Sequence, residues 1–315
     1  MPRIGNFLLA FVQNVAVPAL GIVMFLMLWS MTAAKIDTSL GQFPGPAAVM
    51  AQMSNLYAEH SAEREKEAEF YLRQEERNAA RLAQDPAYDA KVRAYTGKPT
   101  FVDQIETSLI TVLSGFALAA VLAIPLGIAI GLNRTLNTAV NPVIQIFKPV
   151  SPLAWLPLVT MVVSAVYTSD DPAFSKSFVN SAITVALCCL WPMAINTAVG
   201  VASIDRDLVN VSRVLRLSPL KHVRKIVLPA AVPMIFTGMR LSLGIAWMVL
   251  IAAEMLAQNP GLGKFVWDEF QNGSSDSLSR IMVAILAIGA IGFLLDRGML
   301  QIQRLVSWDK ASASR

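Results

Sequence analysis

Long apolar stretches with few charges alternate with shorter polar segments along most of this chain. A helix that crosses the hydrocarbon core of a bilayer needs about 20 predominantly apolar residues. Six stretches are long enough, at residues 7–31, 108–132, 149–167, 178–202, 232–257 and 278–300. The pattern therefore predicts an all-α fold, a polytopic membrane bundle of six transmembrane helices.

The third stretch is irregular because Pro149, Pro152 and Pro157 interrupt it. Each proline removes a backbone donor and opposes a continuous helix, so we expect a broken or partly extended segment. Such backbone is tolerated at membrane depth only where protein or a water-filled cavity covers it. Residues 148–157 are therefore predicted to lie inside the bundle, near a transport path.

The N-terminal stretch predicts an uncleaved first spanning helix. Arg3 is followed by an uncharged run through residue 34. The apolar core of a signal peptide is about 7–15 residues, so this run is too long for one. Pro18 can introduce a bend within the helix. We assign residues 1–34 to this N-terminal element.

Composition supports a membrane protein and excludes several other classes. Charged residues make up 15% of the chain, against about 25% in soluble proteins. The basic residues cluster beside apolar runs, which indicates membrane topology rather than nucleic-acid binding. Cys188 and Cys189 are adjacent within an apolar run, while His60 and His222 are far apart. Neither a disulfide framework nor a metal site is indicated.

Charges between the stretches predict the orientation of the bundle. The segment at residues 205–229, which we call the basic loop, carries six basic and two acidic residues. The connections at 168–177 and 258–280 each carry one more acidic than basic residue. Since cytoplasmic loops are enriched in lysine and arginine, the basic loop and both termini are predicted to be cytoplasmic.

The connection at residues 35–100 is predicted to be a charged, solvated helical insertion on the opposite side. Oppositely charged residues recur there at helical spacing: Glu63 and Lys66, Glu69 and Arg73, and Asp89 and Arg93. An alternative interpretation is a platform that meets a protein delivering the substrate. Long translocated segments do not follow the charge bias, so the basic residues here do not contradict the topology.

The basic loop predicts two short helices, at residues 205–215 and 219–227. Ser218 suits the N-cap of the second helix, and Pro219 suits its first position. Apolar residues recur at helical spacing, so the pair presents one apolar and one basic face. Such a surface suits a groove on a soluble subunit. The alternative is an ordinary positively charged loop that only sets the topology.

The basic loop resembles the signature loop of ATP-binding-cassette (ABC) importer permeases in the spacing of its residues. That pattern is Glu-Ala-Ala, three residues, Gly, nine residues and Ile-x-Leu-Pro. Asn210-Val211-Ser212 occupies the triplet, Arg216 the glycine position, and Ile226-Val227-Leu228-Pro229 the end. If the turn needs a positive φ at Arg216, a non-glycine residue costs about 1–2 kcal/mol. The turn can otherwise shift to Ser218-Pro219.

The resemblance extends over residues 101–308. It includes short motifs at 115–119, 124–127, 156–158, 230–233, 238–240, 244–247, 252–254 and 261–263. The chain is most similar to the subgroup of permeases for nitrate, bicarbonate, sulfonates and taurine. Within that subgroup, residues 148–157, 191–197 and 211–217 most resemble the nitrate branch.

The resemblance implies a type I ABC importer permease fold in a bacterial inner membrane. Residues 101–308 would form the transport domain, with the cytoplasmic coupling loop at 205–229 and a tail at 309–315. A homodimer would work with cytoplasmic ATPase subunits, which bind ATP and Mg, and with a periplasmic or lipid-anchored substrate-binding protein. The implied substrate is a small anion, nitrate first, then nitrite or cyanate, with bicarbonate, sulfonates or taurine as alternatives.

The same resemblance implies which residues contact the ATPase. The implied coupling residues are Asn210, Val211, Ser212, Leu215, Arg216, Leu217, Ser218 and Pro219.

A small anion needs donors that replace its water shell without trapping it. Hydroxyl, amide and indole N–H groups can do this without a fixed charge. Candidate path residues with such groups are Ser151, Trp155, Trp191, Asn196 and Thr197, and candidates with charges are Lys148, Arg240 and Glu254. Helix packing and interface anchoring are the alternative roles. Arg240 and Glu254 lie about 21 Å apart along one helix and cannot pair within it.

The sequence contains no catalytic motif of its own. The Gly-x-x-x-x-Gly-Lys-[Ser/Thr] phosphate loop is absent, as are His-Glu-x-x-His, Gly-x-Ser-x-Gly and Cys-x-x-Cys. We therefore expect no enzyme activity and no cofactor in this chain, with ATP bound by another subunit. A stand-alone anion channel or secondary carrier is the alternative of another class.

Overall fold

Nearly all of the chain that the structure describes is helical. The structure is a computed structural model that describes residues 16–38, 41–85, 88–168, 173–274 and 276–306. The elements are α1 (Val17–Ala33), β1 (Asp37–Thr38), β2 (Gly41–Gln42), α2 (Pro46–Gln84), α3 (Phe101–Leu132), α4 (Arg134–Phe147), α5 (Pro152–Val166), α6 (Lys176–Ala202), α7 (Arg206–Val214), α8 (Pro219–His222), a π-helical turn (Val223–Val227), α9 (Leu228–Ala257), α10 (Leu262–Asn272) and α11 (Ser277–Val306). The two strands pair antiparallel, with Asp37 opposite Gln42.

The prediction of an all-α membrane bundle is confirmed. In the described residues, four helices are long and apolar enough to cross a membrane: α3, α6, the continuous helix Pro219–Ala257 and α11. The pair α4 and α5 makes a fifth if it counts as one bent span. The remaining apolar helix, α1, has 17 described residues. The first predicted stretch begins at residue 7, and residues 1–15 lie outside the described part of the chain.

The predicted break in the third stretch is confirmed. Helices α4 and α5 meet at an angle of 100° across residues 148–151. Ser151 has extended backbone at the start of α5, and its hydroxyl accepts a hydrogen bond from the Leu153 N–H at 3.3 Å. Pro152 occupies the first turn of α5, where its missing N–H would have had no helical partner anyway. Pro157 lies inside α5 and does not end it.

The chain divides into two compact units. The first comprises Met1–Val102 and Val266–Leu286, and the second comprises Asp103–Phe265 and Ala287–Arg315.

The first unit contains the long helix α2 and a non-helical segment that returns along it. Gln74 is buried and exchanges two hydrogen bonds with the backbone of Arg93, at 3.0 and 3.3 Å. Tyr95 donates its hydroxyl to Glu63 at 2.7 Å. This bond lowers the pKa of Glu63 and raises the pKa of Tyr95, because it favours the carboxylate and the neutral phenol.

The charge pairing predicted for this insertion is partly confirmed. Lys66 pairs with Glu63 at 3.4 Å and Arg73 with Glu69 at 3.8 Å, both along α2. The predicted helical pairing of Asp89 with Arg93 is wrong. The helix ends at Gln84, and Asp89 instead lies 3.9 Å from Lys91. Sequence spacing alone did not show where α2 ends. The non-helical segment after it is held by the hydrogen bonds between the Gln74 side chain and the Arg93 backbone.

One cation in the first unit links α2 to the hairpin formed by α10 and α11. Arg280 donates to both carboxylate oxygens of Glu59, at 2.7 and 2.9 Å, and to Glu269 at 2.6 Å. The hydrogen bond from Arg280 lowers the pKa of Glu59. Because Arg280 joins three helices, it positions the charged helix α2 on the α10–α11 hairpin.

In the second unit, α6 is the central helix and packs most extensively against α9. Cys189 and Ser242 exchange hydrogen bonds between these helices, the thiol to the Ser242 carbonyl and the hydroxyl to the Cys189 carbonyl. A buried apolar cluster extends from α3 through α6 and α9 to Met299 of α11. Cys189 is thus a core residue rather than a metal ligand or half of a disulfide.

Helices α3 and α6 approach closely where α3 has a glycine. A Cβ atom at Gly127 would lie 2.6 Å from the Ala194 carbonyl oxygen and 2.6 Å from the Thr197 Cβ. Small residues let membrane helices come close enough for dense packing, which replaces the hydrophobic driving force available in water. Gly127 therefore sets the separation of these two spans.

Gly127→Val should separate α3 from α6 and lower the melting temperature of the detergent-purified chain, because the new side chain collides with backbone. Overpacking of this kind typically costs about 1–3 kcal/mol. The matched control is Gly244→Val, since a Cβ atom at Gly244 meets nothing within 4 Å. Equal melting temperatures for the two variants, measured by fluorescence-detected thermal unfolding, would contradict the packing argument.

Candidate functional site

The basic loop folds as two helices joined by a tight turn, as the sequence predicts. Helix α7 starts at Asp205, whose side chain caps it by accepting a hydrogen bond from the Asp207 N–H at 2.9 Å. Pro219 begins α8, and Ser218 has N-cap backbone geometry without a side-chain capping bond. The second helix does not end at residue 227, because it continues through the π-helical turn into α9.

The turn after α7 has its left-handed residue at Arg216, with φ of 48°. The Leu217 N–H donates to the Ser212 carbonyl at 3.1 Å, and the Arg216 N–H donates to the Arg213 carbonyl at 3.0 Å. These two bonds form a Schellman motif, whose left-handed position is usually glycine. The turn therefore stays at Arg216 rather than shifting to Ser218-Pro219, and the left-handed backbone costs about 1–2 kcal/mol.

A side-chain hydrogen bond joins the two helices of the loop. The Ser212 hydroxyl lies 2.7 Å from Nδ1 of His222, and Ser212 is buried. This bond fixes α8 relative to α7 on the inner side of the turn. Sequence reasoning placed Ser212 in the signature triplet but did not connect it to His222.

Helix α7 presents two opposite faces. Leu208, Val211 and Leu215 recur at helical spacing and are exposed, forming what we call the apolar stripe. The opposite face, with Arg206 and Arg213, lines a cavity of about 720 Å³. The predicted division into an apolar and a basic face is confirmed, and the basic face is turned towards the ends of the spans.

Four candidate path residues come together at the bend between α4 and α5. The Phe147 ring stacks on Trp155 and on Trp191, with ring centroids 5.8 and 6.1 Å apart. Lys148 follows at the end of α4 and is exposed, as is Ser151 at the start of α5. Phe147, missed by sequence reasoning, is the centre of this aromatic stack. Its position one residue before Lys148 was the available signal.

The Trp191 indole is the polar group in this cluster that is left unsatisfied. Its nitrogen is buried and has no hydrogen-bond partner among the residues that the structure describes. A buried donor without an acceptor is unfavourable by about 1–3 kcal/mol. The cluster therefore offers an N–H that an acceptor atom of a bound molecule could use.

Asn196 and Thr197 lie farther along α6, and both bond to their own helix. The Asn196 amide donates to the Pro192 carbonyl and the Thr197 hydroxyl to the Met193 carbonyl, each at 2.8 Å. Thr197 is fully buried and lies against Gly127. The structure thus places Thr197 in the seam between α3 and α6, and its assignment to the path stays a prediction.

Arg240 pairs across the bundle with Asp296 of α11. Two parallel hydrogen bonds join them, Nε to Oδ1 at 2.5 Å and Nη2 to Oδ2 at 2.7 Å. Both side chains remain partly exposed, by 36% and 39%, in a groove of about 750 Å³ between α9 and α11. Asp296 was missed from the sequence, although an acidic residue within an apolar stretch was a usable signal.

Glu254 is enclosed in a buried polar cluster at the other end of α9. Both carboxylate oxygens accept from the Ser108 hydroxyl at 2.9 Å, and one also accepts from the Gly263 N–H at 2.9 Å. Ser108 in turn accepts from the Leu262 N–H at 2.8 Å. A Cβ atom at Gly261 would lie 2.1 Å from the carboxylate, so glycine is required there. Glu254 and Arg240 have separate partners, as their separation predicts.

A family profile matches residues 123–307 of the chain. The family is described as the inner membrane component of binding-protein-dependent transport systems. The match covers more than half of the chain and includes the basic loop, the bend cluster and the Arg240–Asp296 pair.

Two similar proteins are cyanobacterial permeases from Synechococcus elongatus. The bicarbonate transport system permease protein CmpB is 34% identical over 93% of this chain and 90% of its own length. The nitrate import permease protein NrtB is 39% identical over 65% of this chain and 69% of its own length.

The fold is similar to that of a solved importer. The methionine ABC transporter MetNI, in an inward-facing conformation, has a chain that superposes with a TM-score of 0.56 at 16% identity. The similarity covers 65% of this chain and 95% of that chain. At this identity it establishes the fold alone, and it confirms the predicted type I ABC importer permease fold.

Arg216→Gly should raise the melting temperature of the chain, because glycine adopts the left-handed conformation without the Cβ clash. The expected gain is on the order of 1 kcal/mol. Arg216→Ala is the matched control, since it removes the same charge and keeps the Cβ atom. A gain of equal size in both variants would show that charge, rather than backbone strain, governs the turn.

Proposed function

The chain belongs to the family of inner-membrane components of binding-protein-dependent transport systems, and we propose that it carries a small planar monoanion, with nitrate as the first candidate. It is a multi-pass membrane permease rather than an enzyme. Permeases of this family work with ATPase subunits and a substrate-binding protein, so energy from ATP enters through a partner.

The relatives carry the proposal about the substrate. Their names give bicarbonate and nitrate as the transported ions. Both ions are planar, singly charged and have three oxygens around a central atom. Nitrate only accepts hydrogen bonds, whereas bicarbonate can also donate one through its hydroxyl. The motifs at 148–157 and 191–197 favour nitrate, while the relative that aligns over 93% of the chain favours bicarbonate as the second candidate.

The bend cluster is the part of the molecule that best suits such an anion. The Trp191 N–H is a buried donor that is free to bind an acceptor oxygen. Stacked rings of Phe147, Trp155 and Trp191 offer a flat apolar surface for a planar ion. Lys148 lies at the exposed edge of the cluster and attracts anions without enclosing them. We therefore assign the path to residues 148–155 and Trp191, ahead of Asn196, Thr197 and Glu254.

A second copy of the chain would cover the groove that contains Arg240 and Asp296. Charged side chains in transmembrane helices almost always face the bundle interior or a water-filled cavity. This pair is more than a third exposed on one chain alone. In a homodimer with a central aqueous path between α9 and α11 of the two copies, this charged pair would face water and would no longer face lipid. Residues 101–308 would form the transport domain of that dimer.

The basic loop would receive the force of ATP hydrolysis. The apolar stripe on α7 is exposed, and a groove on an ATPase subunit that binds ATP and Mg would bury it. Rocking of the two copies would then alternate access between the two sides of the membrane. This arrangement places the loop and both termini in the cytoplasm.

The alternative is a stand-alone anion channel or secondary carrier. In that case the basic loop would only set the topology, and the apolar stripe would remain uncovered. Family membership and the exposed stripe both favour the ATP-driven importer.

ATP hydrolysis by the reconstituted complex, with its binding protein present, should be stimulated most by nitrate. Bicarbonate, nitrite, cyanate and taurine are compared under the same conditions.

Trp191→Phe should raise the KM for the transported anion about tenfold, because one hydrogen bond to a charged acceptor is lost. Trp267→Phe, a partly buried tryptophan outside the cluster, is the control. Selective stimulation by taurine would exclude the planar-anion proposal, and an unchanged KM in Trp191→Phe would exclude the bend cluster.

Val211→Glu should weaken co-purification with the ATPase at least tenfold, because a charge replaces a valine whose burial against the ATPase would contribute about 1.5–3 kcal/mol. The chain should still insert and elute as a folded species. Arg224→Glu alters charge in the same loop away from the apolar stripe and serves as the control. If Val211→Glu retains the ATPase as the native chain does, the apolar stripe is not the contact.

A further inference from the structure

Three arginines line one cavity behind the basic loop. Arg206, Arg213 and Arg216 surround a space of about 720 Å³, together with His222 and the ends of α3 and α6 near Leu132 and Ala202. We call this space the arginine cavity. Among the described residues, its lining contains no carboxylate. Ser212 and His222 supply the other polar side chains, so the charged groups of the described lining are all positive.

Among the residues that the structure describes, these three cations have no acidic counterion. All three side chains are exposed, and like charges that line one space repel one another. An anion in the cavity would convert this repulsion into attraction. Guanidinium groups bind the oxygens of phosphate with two parallel hydrogen bonds.

The arginine cavity is distinct from the surface assigned to the ATPase. Successive residues of a helix are rotated by about 100°, so Arg206 and Arg213 project from the side of α7 opposite to Val211. The apolar stripe is exposed, while the cavity lies between α7 and the ends of α3 and α6. A soluble subunit on the apolar stripe would leave the cavity accessible from the membrane side.

The ends of two candidate spanning helices form one wall of the cavity. Helices α3 and α6 are long enough to cross the bilayer, and their ends at Leu132 and Ala202 form one wall. The ends of spanning helices are at the level of the polar headgroups. Basic pockets at this level bind the phosphates of anionic lipids.

We propose that the arginine cavity binds a phosphate group, held by the guanidinium groups of Arg206, Arg213 and Arg216. An anionic phospholipid headgroup or a free phosphate ion can supply it. The bound phosphate joins α7 to the ends of α3 and α6, and so stiffens the basic loop. This site is independent of the identity of the transported anion.

The test uses the complete complex in vesicles of phosphatidylcholine, with or without phosphatidylglycerol. Native mass spectrometry counts the phosphatidylglycerol retained by each chain, and titration with inorganic phosphate in phosphatidylcholine alone measures the free ion. Arg213→Gln should weaken phosphate or phosphatidylglycerol binding about tenfold, because a charge-assisted pair of hydrogen bonds is lost. Arg224→Gln removes the same charge from an exposed position outside the cavity and should change binding less than twofold.

The two arms identify the source of the phosphate. Retention of phosphatidylglycerol that depends on Arg213 supports a lipid headgroup, and titration by inorganic phosphate that depends on Arg213 supports the free ion. Equal losses of binding in Arg213→Gln and Arg224→Gln would show that only the general surface charge matters, and would contradict a phosphate site in the arginine cavity. Binding of neither probe would also overturn it. Arg206→Gln serves as the second cavity variant if Arg213→Gln does not elute as a folded complex.

Discussion

The absence of water in the bilayer core forces each polar group on the spans to find its partner within the protein. Glu254 shows how completely this requirement can be met. Its carboxylate accepts hydrogen bonds from Ser108 on α3 and from the Gly263 N–H at the start of α10. One buried carboxyl group thus joins three helices. Gly261 follows from it, because a Cβ atom there would overlap the carboxylate, whereas a Cβ atom at Gly263 would lie 2.1 Å from the Ile251 carbonyl oxygen.

Two candidate transport sites differ from Glu254, because one stays partly exposed and the other has an unpaired donor. The Arg240–Asp296 pair is satisfied internally but remains partly exposed, which suits a surface that faces water or a second copy. The Trp191 indole nitrogen is buried without a partner in the described residues, which suits a site that an anion visits. Glu254 is instead fully buried, and its carboxyl group is hydrogen-bonded to neighbouring helices. This suits a group that holds the helices together. Pairing alone does not identify a transport group, because buried oxygens of Asn180 and Ser181 on α6 also have no partner among the described residues.

The basic loop combines strain with tight fixation. Arg216 adopts a left-handed conformation that glycine would adopt more easily, and the Schellman hydrogen bonds from Leu217 and Arg216 hold it there. The bond between Ser212 and His222 closes the inner side of the turn. Such stiffness would suit the proposed contact of this loop with an ATPase subunit. The two faces of α7 differ. The apolar stripe is exposed, and the arginines lie beside the ends of α3 and α6.

The sequence by itself determined the features that depend on local pattern. Apolar length located candidate spans, the prolines predicted a break within residues 148–157, and the pattern of the basic loop predicted two helices with the turn either at Arg216 or at Ser218-Pro219. Those features follow from backbone hydrogen bonding and helical periodicity, which act within a few residues. The end of α2 at Gln84 escaped the same reasoning, because the pairing of Asp89 with Arg93 assumed a helix that continues.

Only the tertiary structure decided which distant groups meet. Ser108 reaches Glu254 across 146 positions, and Asp296 reaches Arg240 across 56. Phe147 became the centre of the aromatic stack through the 100° bend that brings α4 against Trp155 and Trp191. Helical periodicity shows which residues share a face but not which neighbouring helix lies against it. The choice of partner depends on how the spans pack, and close packing at positions such as Gly127 sets that arrangement.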